Sequence, residues 1–239
     1  MPPLANAEPP NTEHGNIDIL RETVASYCTP YELDGIERAY VYARDAHEGK
    51  LRYSGAPYIV HPVGVAERLA ALRMPAIVIM AGLLHDVVED AGKPLEEIRQ
   101  QFGREISDLV EGVTKIGKIR LQGEARYIEN LRKLFVAMAK DIRVIIIKFA
   151  DRLHNLATLA YVPEPKRTRI ARESIEIHAP IANRLGMGEI KGQLEDLAFP
   201  YAYPKEAEWV ASLVAATEET RHAACEDMRI AITRALEEH

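Results

Sequence analysis

Three separated segments of this 239-residue chain each place a side chain able to bind a metal beside an apolar run. They are His61 in Tyr58-Ile-Val-His-Pro62, the pair His85-Asp86 in Leu83-Leu-His-Asp-Val-Val-Glu-Asp90, and Asp151 in Phe149-Ala-Asp-Arg-Leu-His-Asn155. If the fold brings them together, two neutral imidazoles and two carboxylates form a mixed nitrogen and oxygen cage. Glu89 and Asp90 then stand close by without being needed as ligands, the arrangement that metal-assisted phosphate hydrolysis requires. Each signal is ordinary by itself. An HDxxED run is more often a solvated helix end, His61 is equally a cap or core residue, and Asp151 could simply pair with Arg152 or Lys148.

These side chains need elements to hold them. His85 and Asp86 are adjacent, so on a helix they point about 100° apart, and one metal meets both only at a helix edge or near its end. Pro75 can open a helix through Ile77, Met80, Leu83 and Leu84 into His85-Asp86, with Gly92 as the stop. Thr29-Pro-Tyr-Glu32 carries an N-cap, a Pro at the first helical position and a Glu three residues after the cap. Leu33, Ile36, Tyr40 and Ala43 follow at helical spacing, up to an end near Gly49. A polar loop, Lys50 to Ala56, leads to a helix from Pro62 to Arg73, with His61 just ahead of its first turn. Pro94 and Gly103 bracket a short helix, another runs from Arg104 towards Thr114, and Gly117 to Gly123 reads as a mobile loop.

The stretch Asp141 to Ala160 is β-branched enough for a buried strand, but twenty residues without Gly or Pro favour a helix. Lys148, Asp151, Asn155 and Thr158 then share one face as a polar stripe. Further helices are expected over Lys166 to Arg184 and Glu189 to Phe199. The segment from Pro204 to His239 reads as one long amphipathic helix or two. The class is all-α, organised as a disordered tail at 1–16, a main domain at 17–203 and a helical extension at 204–239.

Composition narrows the function. A net charge of -6 argues against a general nucleic-acid or membrane-surface binder, so an anionic ligand needs a local basic pocket. No apolar run reaches the ~20 residues of a membrane span, and the N-terminus lacks the pattern of a signal peptide. Cys28 and Cys225 form no CxxC pair, which fits reduced thiols in the cytoplasm. The loop Arg52-Tyr-Ser-Gly-Ala-Pro-Tyr58 offers a guanidinium that can stack on a base or pair with phosphate. His14, His47, His154, His178, His222 and His239 read as structural or exposed, and there is no P-loop, dinucleotide fingerprint or nucleophile elbow.

In order, Arg52-x-Ser-Gly-x-Pro-Tyr-Ile-Val-His-Pro62, His85-Asp-Val-Val-Glu-Asp90, Glu129-Asn-Leu-Arg-Lys133, Ala137-Met-Ala-Lys-Asp-Ile-Arg-Val144 and Lys148-x-Ala-Asp-Arg-Leu-His-Asn155 strongly resemble the hydrolase domain of the RelA/SpoT family. The likeness continues through Ala179-Pro-Ile-Ala-Asn-Arg-Leu-Gly186 and Leu194-Glu-Asp-Leu-Ala-Phe199, covering about residues 30 to 200. It implies an HD-superfamily fold with one Mn2+ held by His61, His85, Asp86 and Asp151. Glu89 and Asp90 would act on the attacking water and leaving group, and Arg52, Ser54, Tyr58, Asn155 and Thr158 would hold the guanine nucleotide. The implied reaction removes pyrophosphate from the ribose 3′ position of ppGpp or pppGpp, leaving GDP or GTP.

Three positions depart from the family pattern: Tyr53 where Lys is usual, Ala56 for a common Glu, and Ala91 for a common Thr. Tyr53 removes a cation near the phosphates and leaves the ligand set intact. Long relatives continue into a synthetase domain; this chain stops in the helical segment leading there, so synthesis is not expected and the tail helices are open to self-association or fraying. Two other functions stand beside the leading one. One is an HD-type hydrolase of ordinary nucleotides, which a substrate panel separates, and the other is a non-catalytic alarmone-binding module.

Overall fold

The computed structural model describes residues 16–117, 132, 136 and 140–237, and in these the protein is helical, with a single isolated bridge between Leu51 and Pro57. The expected loop at Gly117 to Gly123 lies almost wholly outside the described residues, as does Glu129 to Lys133 apart from Arg132. The helices are α1 (Asp18–Ala25), α2 (Pro30–Ala46), α3 (Val60–Ala71), α4 (Ala76–Leu84), α5 (Leu95–Phe102), α6 (Arg104–Gly117) and α7 (Ile142–Ala157). After a 3-10 turn, α8 (Glu164–Glu173), a π-helical turn (Ser174–His178), α9 (Ala179–Arg184), α10 (Gly188–Ala202) and α11 (Pro204–Glu237) follow.

Helix α4 is the axis of the packing. Its sequence, AIVIMAGLL, has no polar face, and every residue except Ile77 is buried. A helix apolar all round is stable only when surrounded, and α2, α3, α6 and α7 supply the surround. Leu69, Ile79, Leu83, Leu84, Leu109, Ile145, Ile147 and Phe149 are among its fully buried side chains. Each stabilises the fold by roughly 1.5–3 kcal/mol relative to exposure, before the entropy of ordering is counted. One core cluster runs from Leu20 in α1 to Ala202 in α10, because α10 packs on both α7 and α8.

Local chemistry explains most boundaries. Thr29 caps α2 as a capping box: its hydroxyl accepts from the Glu32 N–H at 3.4 Å, while the Glu32 carboxylate accepts from the Thr29 N–H at 2.8 Å. Asp141 caps α7 by accepting from the Arg143 N–H at 2.9 Å, so the β-branched run Ile142 to Ile147 is helical, as its length favours.

Among the differences from expectation, three stand out. Helix α3 starts at Val60, which moves His61 inside the first turn. Helix α4 ends at Leu84 rather than continuing towards Gly92; the chain turns through residues 85–90, where the Val87 N–H bonds the Leu84 carbonyl and the Asp90 N–H bonds that of Asp86. The expected single helix from Lys166 to Arg184 widens at Ser174–His178. Pro180 has no N–H to give Glu176, and the Ala179 N–H reaches back to the Ser174 carbonyl. Among the described residues no helix is long and apolar enough to cross a membrane.

Candidate metal centre

Helix ends and one helix face converge at a point between α3, α4 and α7. His61 comes from the first turn of α3, His85 caps α4, Asp86 begins the turn after it, and Asp151 lies midway along α7. The end of α4 satisfies the geometric condition that lets two adjacent residues share one point. Nε2 of His61 is 3.3 Å from Oδ2 of Asp86 and 3.3 Å from Oδ1 of Asp151. Nε2 of His85 is 3.1 Å from Oδ1 of Asp86 and 3.8 Å from Oδ1 of Asp151. One ligand atom each from His61, His85 and Asp86 lies within 4.8 Å of the others.

The donor set fits a divalent cation. Nδ1 of His85 is 2.7 Å from the Gly82 carbonyl, to which it must donate, leaving the Nε2 lone pair for the cluster. That Nε2 is buried, with Oδ1 of Asp86 3.1 Å away. Burial alone would lower the His85 pKa, but Asp86 and Asp151 outweigh it and push it up to about 10. Burial would likewise raise both carboxyls. His85 and His61 hold Asp86 well below the usual range, and Lys148 with the same two histidines does so for Asp151. Carboxylates that stay ionised around a buried positive charge are a setting in which a metal displaces a proton.

The carboxylates are themselves oriented. Lys148 donates to Oδ2 of Asp151 at 2.6 Å and Asn155 to Oδ1 at 2.5 Å, so the polar stripe of α7 faces the site rather than solvent. Asn155 also accepts from Arg52 at 2.9 Å through Oδ1. The tight loop that presents Arg52 is closed by the Arg52 N–H bonding the Ala56 carbonyl and the Tyr58 N–H bonding that of Lys50. The Arg52 guanidinium lies 5.5 Å from the centre of the Tyr58 ring, whose plane is stacked on His47 at 4.5 Å.

The Tyr58 hydroxyl is 2.9 Å from Oδ2 of Asp86 and 2.6 Å from Oδ2 of Asp90, so one phenolic proton serves two carboxylates. Burial, with the charge of Asp86 and the bond to Asp90, keeps this phenol protonated by raising its pKa. Asp90, tied through Tyr58 to the cluster, and Glu89 are both exposed. The bonds of Ser54 and Thr158 are local: Ser54 Oγ accepts from the Ala56 N–H at 3.4 Å, and Thr158 Oγ1 is 3.3 Å from the His154 and Asn155 carbonyls.

Two histidines that sequence reasoning set aside belong here. His47 backs Tyr58, and His154 places its Nδ1 3.0 Å from Nδ1 of His61. The available signal for His154 was its spacing, three residues after Asp151 on the same face of α7. For Tyr53, the Lys166 ammonium of α8 sits 5.0 Å over the ring and 3.4 Å from the hydroxyl, so a cation stands beside the position where the sequence lacks one.

A helical bundle closing two histidines and two aspartates around one point defines a class. Residues 39–188 match the HD domain family, and the chain belongs to it. Several proteins of the RelA/SpoT type are similar to it. It is 48% identical over 188 residues to a GTP pyrophosphokinase of Myxococcus xanthus, covering 77% of this chain and 25% of that protein. It is 43% identical over 203 residues to the bifunctional (p)ppGpp synthase/hydrolase SpoT of Escherichia coli, covering 84% and 29%. It is 49% identical over 185 residues to a guanosine-3′,5′-bis(diphosphate) 3′-pyrophosphohydrolase of Aquifex aeolicus, covering 77% and 26%. The chain thus spans about a quarter of the length of these relatives. A solved structure of a metazoan SpoT ortholog, described as hydrolysing ppGpp, has the same fold, with a TM-score of 0.55 and 24% identity over 72% of this chain and 95% of that one.

Proposed function

We propose that this chain hydrolyses ppGpp and pppGpp at the ribose 3′ position, releasing pyrophosphate and leaving GDP or GTP, with Mn2+ held by His61, His85, Asp86 and Asp151. The observation that carries the reading is the convergence of those four side chains, from three segments, beside the Arg52–Asn155 and Tyr58–Asp90 pairs. Mn2+ accepts a mixed nitrogen and oxygen donor set of this kind. A bound metal would supply Lewis acidity towards phosphate oxygens and a lowered pKa for water.

The chain's own residues do the rest. Arg52, tethered by Asn155 and free to present its remaining N–H groups, pairs with phosphate or stacks on the base. Of Asp90 and Glu89, one carboxylate takes the proton of the attacking water and the other serves the leaving group. Tyr58 donates to Asp86 and Asp90 in turn, orienting both and joining the ligand set to the proton acceptor. Ser54 and Thr158 contact the nucleotide once it is seated. The ligand is a small guanine nucleotide, and the setting is the cytoplasm.

Incubation of the protein with ppGpp and Mn2+ tests this, with chromatography of the nucleotide and assay of pyrophosphate as readouts. GDP and pyrophosphate in equal amounts are expected. Release of orthophosphate or triphosphate from nucleotides lacking a 3′ diphosphate would point to a general HD-type nucleotide hydrolase. Nucleotide binding without turnover would make the domain an alarmone-binding module.

A further inference from the structure

His61 reaches the ligand cluster through Nε2, while its other nitrogen, Nδ1, faces a second buried histidine from a different helix. The Nδ1 atoms of His61 and His154 are 3.0 Å apart, and both rings are almost fully buried, at 1% and 3% exposure. Between two ring nitrogens at that distance one must donate and the other accept. For Nε2 of His61 to offer a lone pair to a metal, Nδ1 of His61 must carry the proton. His154 must then accept it on Nδ1 and keep its own proton on Nε2.

The remaining contacts of His154 agree with a fixed, purpose-shaped position. Its ring lies against the backbone of Gly64, one turn after His61 on α3, where an added Cβ would stand 2.2 Å from Cδ2 and 2.4 Å from Nε2 of His154. The Nε2 atom is buried and makes no hydrogen bond there. A buried polar group left without a partner costs stability, and a leucine of similar size would avoid that cost. The histidine is therefore present for what Nδ1 does.

We propose that His154 is a positioning residue that fixes the tautomer and ring orientation of His61 as a metal ligand. This rests on the proposed metal centre and adds to it a partner in another helix. It also explains the absence of a side chain at Gly64. A carboxylate or carbonyl is the usual second partner of a ligating histidine; an imidazole in that place accepts the proton without adding negative charge to a centre that already has two carboxylates.

The test is titration of the metal-free protein with Mn2+ alone, followed by calorimetry, for the wild type, His154→Asn and His154→Leu. The Asn side-chain oxygen can stand near the former Nδ1 and accept the same proton, whereas Leu cannot. His154→Leu is expected to bind Mn2+ about 10–100-fold more weakly, as removal of such partners does elsewhere. His154→Asn should retain affinity within a few-fold. Equal affinity of His154→Leu and wild type, or a His154→Asn as weak as His154→Leu, overturns the proposal.

Long-range 1H–15N NMR of the Zn2+-loaded wild type gives an answer that needs no variant. The expected pattern is His61 protonated on Nδ1 and His154 on Nε2, and the opposite assignment for His154 overturns the proposal. If the wild type binds neither ion, the metal centre itself is wrong and the proposal falls with it, an outcome distinct from selective failure at His154.

Discussion

A single methyl group at Gly64 should disable the centre from its outer side. In Gly64→Ala the new Cβ would lie 2.2 Å from Cδ2 of His154, where ordinary contacts begin at 3.4 Å. The ring is buried and hydrogen-bonded, not the loose end of a flexible chain, so it must retreat by about 1 Å or more to relieve the overlap. A hydrogen bond of 3.0 Å to His61 does not survive that displacement. Two effects follow. Overpacking costs about 1–3 kcal/mol, which for a chain of this size lowers Tm by roughly 2–4 °C per kcal/mol. Loss of the His61 partner lowers metal affinity by about tenfold or more.

The control is Gly112→Ala. Its Cβ would meet Val144 at 2.8 Å, between α6 and α7, with no ligand involved. Thermal melts should fall for both variants, while Mn2+ titration should weaken only for Gly64→Ala. Unchanged Mn2+ affinity in Gly64→Ala, or equal weakening in Gly112→Ala, would refute the reasoning.

Other consequences are more local. Burial pushes the Glu67 carboxyl up to about 7, against a partial offset from Arg68, so the folded state resists ionisation that the unfolded chain accepts near its ordinary value of 4.5. Stability should therefore fall as pH rises from about 4.5 through 7, and Glu67→Gln should exceed wild type by about 1 kcal/mol at pH 8, discounted for partial exposure, with the gap closing at pH 4.5 in urea titrations. Thr29→Ala removes the cap of α2 and should cost about 1 kcal/mol, read as a lower urea midpoint with unchanged slope. Arg52→Ala removes the bond to Asn155 and the guanidinium beside Tyr58, so KM for ppGpp should rise about tenfold or more with Mn2+ affinity unchanged; steady-state kinetics check the first and calorimetry the second.

Legibility in the sequence followed how local each cause was. The capping box at Thr29 and Glu32 depends on four consecutive residues, and it is where the pattern put it. The stripe Lys148, Asp151 and Asn155 needed only the helical period, although whether it faced water or a site had to come from α3 and α4 packing on α7. The end of α4 was not legible. The apolar run gives no stop signal at Leu84, and the chain turns there with the His85 ring bonded back to the Gly82 carbonyl. The widened turn at Ser174–His178 depends on Pro180 together with the packing of its neighbours on α10. His154 reads as structural or exposed because the sequence shows no persuasive ligand partner for it. Its role emerges only when a glycine 90 residues earlier admits its ring beside His61.

The most direct test of the central claim is turnover of ppGpp by metal-loaded protein, followed by 31P NMR, for the wild type and His85→Ala. Stoichiometric appearance of GDP and pyrophosphate with the wild type, and neither metal uptake nor product with His85→Ala, is the predicted result. A wild type that binds Mn2+ at one site and leaves ppGpp intact, or a His85→Ala that still turns over, would contradict it.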